Sequence, residues 1–145
     1  MNNWDLKFIE LSRHIANWSK DTNRKNSAVI VNDDNIVISM GYNGFPIGCD
    51  DKVACRYEQP MKYLYTEHAE RNAIYHAAKL GVSLKGCRMY VTMFPCSDCA
   101  RALIQSGIKQ LFTPTPDVDH EKWGIHFKAA LVMFEEANIE ITLID

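Results

Sequence analysis

Two short motifs constrain this chain more than anything else in it, because they are useful only if the fold brings them together. One is His68-Ala69-Glu70, and the other is Pro95-Cys96-Ser97-Asp98-Cys99. Together they offer an imidazole, two thiols and a carboxylate that need not be a ligand. That is the donor set of a catalytic zinc site, with three protein ligands and a fourth position kept for water. Each motif reads as the opening of a helix, so two helix N-termini have to converge on one point. Their unpaired N–H groups favour negative charge. Cysteines three apart face the same side of a helix, and their pKa values fall at such an end even before a metal arrives. Pro95 fixes φ at the entry to the ligand turn.

The rest of the pattern supplies those helices and a sheet to carry them. Trp4, Phe8, Leu11, Ile15 and Trp18 recur at spacings of three and four, which predicts a helix over 4–20. Ala28-Val29-Ile30-Val31 reads as a central strand, apolar on both faces, with a turn at Asp33-Asp34-Asn35 and a hairpin partner over 36–40. Residues 41–59 carry turn signals and no period. A structureless stretch of that length points to a functional loop. Thr66 is placed to cap a helix that Gly81 stops. A strand over 88–93, a helix over 97–106 closed by Gly107, a strand over 110–113, a helix over 120–137 and a strand over 139–144 complete the order. This α-β-β-α-β-α-β-α-β succession implies one mixed sheet covered by helices, in a single α/β domain spanning 1–145.

Composition narrows the function classes. Formal net charge is -2 over 145 residues, which argues against a grip on long nucleic acid. No run approaches the 18 apolar residues of a membrane span, and the N-terminus shows no leader pattern, so the expected location is the cytoplasm with reduced thiols. The CxxC pair alone has a bland alternative as a redox pair or a chance spacing. A helix-opening HxE joined to a helix-opening PCxxC, with a strand between, favours catalytic zinc. Of the other cysteines, Cys87 reads as a small buried hydrophobe. Cys49 and Cys55 either pack or lie as surface thiols, or they join His76 in a second metal site.

The motifs also carry a resemblance. HxE with PCxxC is the mark of the zinc-dependent nucleobase deaminases. Extended to HAERNAI (His68 to Ile74), YVTMFPCSDCARALIQSGI (Tyr90 to Ile108) and GYNGFPIG (Gly41 to Gly48), the pattern resembles deoxycytidylate deaminases, phage-encoded members included. The resemblance spans about residues 25–112. It implies a cytidine deaminase-like three-layer α/β/α fold on a mixed five-stranded sheet. It implies hydrolysis of dCMP to dUMP for thymidylate synthesis by a homo-oligomer, commonly a hexamer. By motif position it implies His68, Cys96 and Cys99 as zinc ligands and Glu70 as proton shuttle, with Asn43 near the sugar and base and Gly44 allowing close backbone approach. Thr92 either meets the base or satisfies local backbone.

The substrate phosphate needs cations or backbone donors. Arg24, Lys25 and Arg101 are the candidates, with His120, Lys122 and Trp123 as a weaker further wall. Larger relatives respond to dCTP as activator and dTTP as inhibitor, with Mg2+ expected beside such an effector. Gly41, Tyr42, Phe45, Pro46 and Gly48 would be the regulatory loop. Lys25-Asn26-Ser27 departs from the Lys-Val-Gly run usual there, which bears on regulation and leaves the chemistry intact. The segment from Phe45 to Tyr65 is either a lid over the nucleotide or a packed surface loop. The rivals are a deaminase of another nucleotide, nucleoside or RNA base, and a protein that keeps zinc without turnover. An intact Glu70 argues against the last.

Overall fold

The computed structural model describes all of residues 1–145. A capping box opens helix α1 (Asn3–Ala16): Asn2 Oδ1 accepts the Asp5 N–H at 3.0 Å, and Asp5 Oδ2 accepts the Asn2 N–H at 2.8 Å. The helix stops four residues short of expectation. Ser19 beyond it turns away and donates to the Asn43 carbonyl at 2.8 Å. Trp18 therefore lies outside the helix, and it and Trp4 are half-exposed while Phe8 and Ile15 are buried.

Strand β1 (Ser27–Val31) is buried throughout and pairs antiparallel with both β2 (Val37–Tyr42) and β3 (Arg88–Val91). Strand β4 (Gln110–Thr113) runs parallel to β3, and β5 (Glu140–Leu143) parallel to β4. The sheet order is β2-β1-β3-β4-β5, which is the mixed five-stranded sheet expected. Period-two alternation splits its side chains into two cores. Val29, Val31, Tyr90 and Phe112 pack with Phe8, Ile9 and Ile15 of α1. Ala28, Ile30, Met89, Val91 and Leu111 face the other way, toward the remaining helices. Three layers result: α1, the sheet, and a second helical layer.

That second layer holds α3 (Ala69–Leu80), α4 (Ser97–Ser106) and α5 (Gly124–Glu136). Gly81 and Gly107 end α3 and α4 in the left-handed conformation, as their positions required. Beyond the early stop of α1, three departures from the sequence reading bear on the site. Residues 41–59 are not structureless: β2 runs on to Tyr42 and a 3₁₀ turn (Ala54–Tyr57) lies within them, with the short α2 (Lys62–Tyr65) just beyond. Thr66 ends α2 instead of capping α3, because Gly44 and Glu67 exchange backbone bonds at 3.1 and 2.8 Å and hold residue 67 extended. His68 is thus the N-cap residue of α3. Helix α5 begins at Gly124 rather than residue 120, where a Cβ would stand 2.5 Å from the Val118 carbonyl oxygen. No helix is long and apolar enough to cross a membrane.

Candidate active site

The two helix entries do meet. His68 caps α3 and Cys96 caps α4, both in extended backbone, and Cys99 follows in the first turn of α4. The Nδ1 of His68 lies 3.5 Å from Cys96 Sγ and 3.4 Å from Cys99 Sγ. The three ligand atoms are within 4.8 Å of one another. A tetrahedral ion bound at about 2.0 Å by nitrogen and about 2.3 Å by sulfur would hold each N–S pair about 3.5 Å apart. The residues present fit zinc. Cys49 and Cys55 are exposed, and His76 Nδ1 is 2.8 Å from the Met40 carbonyl oxygen across β2. Those three are not gathered, so the second metal site is not formed.

The electrostatics suit a cation. Hydrogen bonding from Cys99 and then His68 lowers the Cys96 thiol to about 4, against the cost of burial. Cys96 and burial together push Cys99 the other way, so the pair alone carries one charge. A divalent ion here would hold both as thiolates. His68 is raised by its bond to Cys96. Glu70, one residue into α3, is buried, and desolvation raises its carboxyl pKa. A carboxyl poised toward neutrality beside a metal triad is suited to carrying protons in both directions.

These groups line a cavity of about 530 Å³, within the range for a small-molecule site. Several sequence-expected residues reach it and several do not. Asn43 and Arg24 line it, as do His120, Lys122 and Trp123. Asn43 is buried with both polar ends engaged: its Oδ1 accepts the Asn26 N–H at 2.8 Å, and its Nδ2 donates to the Arg24 carbonyl at 2.8 Å. Its first task is to hold the 24–26 loop. Gly44 is not in the lining, and a Cβ there would meet nothing closer than 3.9 Å, so no close approach demands glycine. Thr92 is also off the cavity. Its Oγ1 accepts the Ser27 N–H at 3.0 Å and so serves local backbone. Lys25 is exposed away from the lining, and Arg101 is spent on Asp98.

The regulatory-loop residues have structural explanations of their own. Gly41 is needed where β2 crosses α3, since a Cβ would fall 2.5 Å from the Ala73 nitrogen. Tyr42 meets Trp18 edge-on at 6.3 Å. Phe45 stacks on Tyr57 at 4.6 Å. The Pro46 carbonyl accepts the Cys49 N–H at 3.0 Å, and Gly48 has φ of 89° in that turn. None of the five lines the cavity. The sequence reading missed Asp21, Gln59, Lys62, Tyr63 and Arg71, which do. Gln59, Lys62 and Tyr63 lie in a stretch with no hydrophobic period, Arg71 is a polar position within the periodic α3, and Asp21 precedes Asn23 in an Asx-type turn that was legible as polar but not as a wall.

A three-layer α/β/α fold with this donor triad and a buried glutamate defines the class of zinc-dependent base deaminases. The comparisons agree. Residues 2–115 match the model of the cytidine and deoxycytidylate deaminase zinc-binding region, and the chain belongs to that family. It is 38% identical over 98% of its length to an uncharacterised deaminase from the luxG 3′ region of Aliivibrio fischeri, covering 94% of that protein. It is 42% identical over 74% of its length to human deoxycytidylate deaminase, of which it spans 62%. The dCMP deaminase of cyanophage S-TIM5, solved in complex with dCMP and dUMP, superposes with a TM-score of 0.80. That likeness covers 99% of each chain at 20% identity and is one of fold.

Proposed function

We propose that this chain, acting as one unit, hydrolyses dCMP to dUMP and ammonia. The observation that carries the proposal is Glu70 buried beside the His68, Cys96 and Cys99 triad at the wall of a nucleotide-sized cavity. The family membership and the human deoxycytidylate deaminase relative support the choice of substrate. His68, Cys96 and Cys99 hold zinc, which when bound supplies a water activated near neutral pH.

The remaining work falls to the protein's own groups. Glu70 takes a proton from the attacking water, delivers it to the ring N3, and later helps protonate the departing amine. Its burial makes both directions accessible, because the raised pKa shortens the climb to the protonated form. Phe94 and Phe127 are apolar parts of the wall that help keep bulk water from the base. Asn43 shapes the 24–26 loop, so Arg24 reaches the cavity on a backbone fixed from below. The homo-oligomer, expected as a hexamer, belongs to the same reading. A dCTP or dTTP effector with Mg2+ would act through the Gly41–Gly48 loop from outside the cavity. A hyperbolic dCMP curve unchanged by dCTP removes that part.

The test is turnover by zinc-loaded protein of dCMP, dCTP, deoxycytidine and a tRNA anticodon stem. The expected result is dUMP and ammonia from dCMP in equal amounts, with kcat/KM far above that for the other three. No turnover of dCMP, or a clear preference for RNA, sinks the proposal.

A further inference from the structure

One arginine reaches the flank of both ligand-bearing helix entries. Arg71 lies in the first turn of α3, just past His68, and its side chain forms part of the cavity wall. Toward α3, its Nε and Nη2 each lie 2.7 Å from Glu67 Oε1. The same oxygen accepts the backbone N–H of His68 at 2.9 Å. Toward α4, Arg71 Nη1 stands 3.6 Å from Asp98 Oδ2, and Asp98 sits between Cys96 and Cys99. Of the ion pairs in the chain, those of Arg71 alone join the entry of α3 to that of α4.

The two arms differ in strength. The side chains of Arg71 and Glu67 are only 22% and 24% exposed, so salt and water screen this pair less than a surface one. Glu four residues before Arg is also the favoured order on a helix. Asp98 is 46% exposed and is shared with Arg101, which makes it the weaker arm. All three guanidinium nitrogens are directed at carboxylates, so Arg71 stands as a tie and not as a hand for the substrate. Its charge also bears on the ligands. Burial works against that charge, but the sulfur of Cys99, the Glu67 carboxylate and the sulfur of Cys96 outweigh it and raise the Arg71 pKa. The same guanidinium opposes the rise that Cys96 and burial impose on Cys99.

Resting on the reading of His68, Cys96 and Cys99 as zinc ligands, we infer that Arg71 is a positioning residue for the metal. Through Glu67 and Asp98 it holds the two ligand-bearing helix entries against each other, and so governs how long zinc is kept. Partners outside the ligand set orient the ligands of a metal site. Here they act on the backbone of His68 and on the turn between the two cysteines. An ion leaves one ligand at a time. A ligand that opens from a fixed helix entry closes again before the next one lets go, whereas an untied entry lengthens each opening. Zinc release is therefore the rate that feels the tie most, and substrate affinity the property that feels it least.

The test compares wild type with Arg71→Met, Arg71→Lys, Asp98→Asn and the double variant Arg71→Met, Asp98→Asn, each as the zinc-loaded full chain. The readouts are the rate at which excess chelator removes zinc, the KM for dCMP, and thermal unfolding once zinc is removed. Loss of an outer partner of a metal ligand is worth about 10- to 100-fold. Arg71→Met is expected to release zinc faster by that factor, with KM unchanged and the zinc-free protein unfolding close to wild type. Arg71→Lys holds Glu67 but cannot span both carboxylates, so its release rate should fall between the two. Asp98→Asn should speed release less, and the double variant no more than Arg71→Met alone, because the two groups form one tie. Wild-type release in Arg71→Met overturns the inference. So does a raised KM with release unchanged, which would make the guanidinium a substrate contact, or a zinc-free protein destabilised as much as the loaded one. In each case zinc binding by the triad still stands. Wild-type protein that retains no zinc overturns the reading beneath it.

Discussion

At the scale of single residues, Glu70 is the group whose environment and proposed task are most tightly linked. Its carboxylate is buried, which raises its pKa, and charge from His68 opposes that rise. Glu70→Gln keeps the shape and removes the exchangeable proton. General acid–base roles are worth about 10²- to 10⁴-fold, so kcat should fall by about 10³-fold while metal analysis still finds one zinc per chain. A variant that turns over dCMP near the wild-type rate would show that the carboxyl is not the shuttle. The ligands and this glutamate were legible in the sequence because each pair is local, two or three residues apart at a helix entry. Asn43 was legible as part of the site but not in its manner. Its amide is tied to the backbone at Arg24 and Asn26, contacts 17 and 19 residues away that no spacing rule reports.

Elements enter function through how closely they approach. Strand β2 and helix α3 touch where Gly41 has no side chain, and Ser39 Oγ adds a bond to the Ala73 carbonyl at 2.7 Å. The same helix presents His68 and Glu70 at its start. Gly41→Ala would set a Cβ 2.5 Å from the Ala73 nitrogen and 2.7 Å from the Ala69 carbonyl oxygen, so α3 must lift. Overpacking of this kind costs about 3 kcal/mol. Urea unfolding should show that loss together with reduced zinc occupancy. An unshifted midpoint would mean the contact relaxes freely. The strands and the three long helices were readable from their periods, whereas α2 was not. Its four residues Lys62–Tyr65 are too few to show a helical period and none is buried.

Lys62 links that short helix to the chain before β1. Asp21 pays for burial, which raises its pKa, but its bond to Lys62 and the N–H groups of Asn23 (2.9 Å) and Arg24 (3.2 Å) lower it further than burial raises it. A carboxylate depressed in the folded state contributes stability that is full above its ordinary value. That contribution is lost as pH falls through the depressed one. Asp21→Asn should therefore be less stable than wild type at neutral pH, with a shallower loss of stability into acid. Urea midpoints followed from neutral to acidic pH check this, and parallel curves for the two proteins would dismiss it.

Over the whole molecule, the triad ties together parts of the chain that the sheet alone leaves independent. His68 enters α3 after a long irregular segment, and Cys96 enters α4 directly from β3, so an ion between them pins one helical layer at two of its starts. Without it, Cys96 carries the charge and Cys99 is pushed toward the neutral thiol, so the two sulfurs share one negative charge. Any ligand that binds the folded state alone adds stability as the logarithm of one plus its free concentration over Kd, about 2.7 kcal/mol at 100 times Kd. For a chain of this length that corresponds to a shift of roughly 5–10 °C in Tm. Stripping zinc with a chelator should lower Tm by that amount, and returning zinc alone should restore it. The double variant Cys96→Ser, Cys99→Ser should unfold at a temperature that neither treatment moves. If chelation removes the metal and Tm stays where it was, the ion serves chemistry only, and the convergence of α3 and α4 is held by their apolar packing against the sheet.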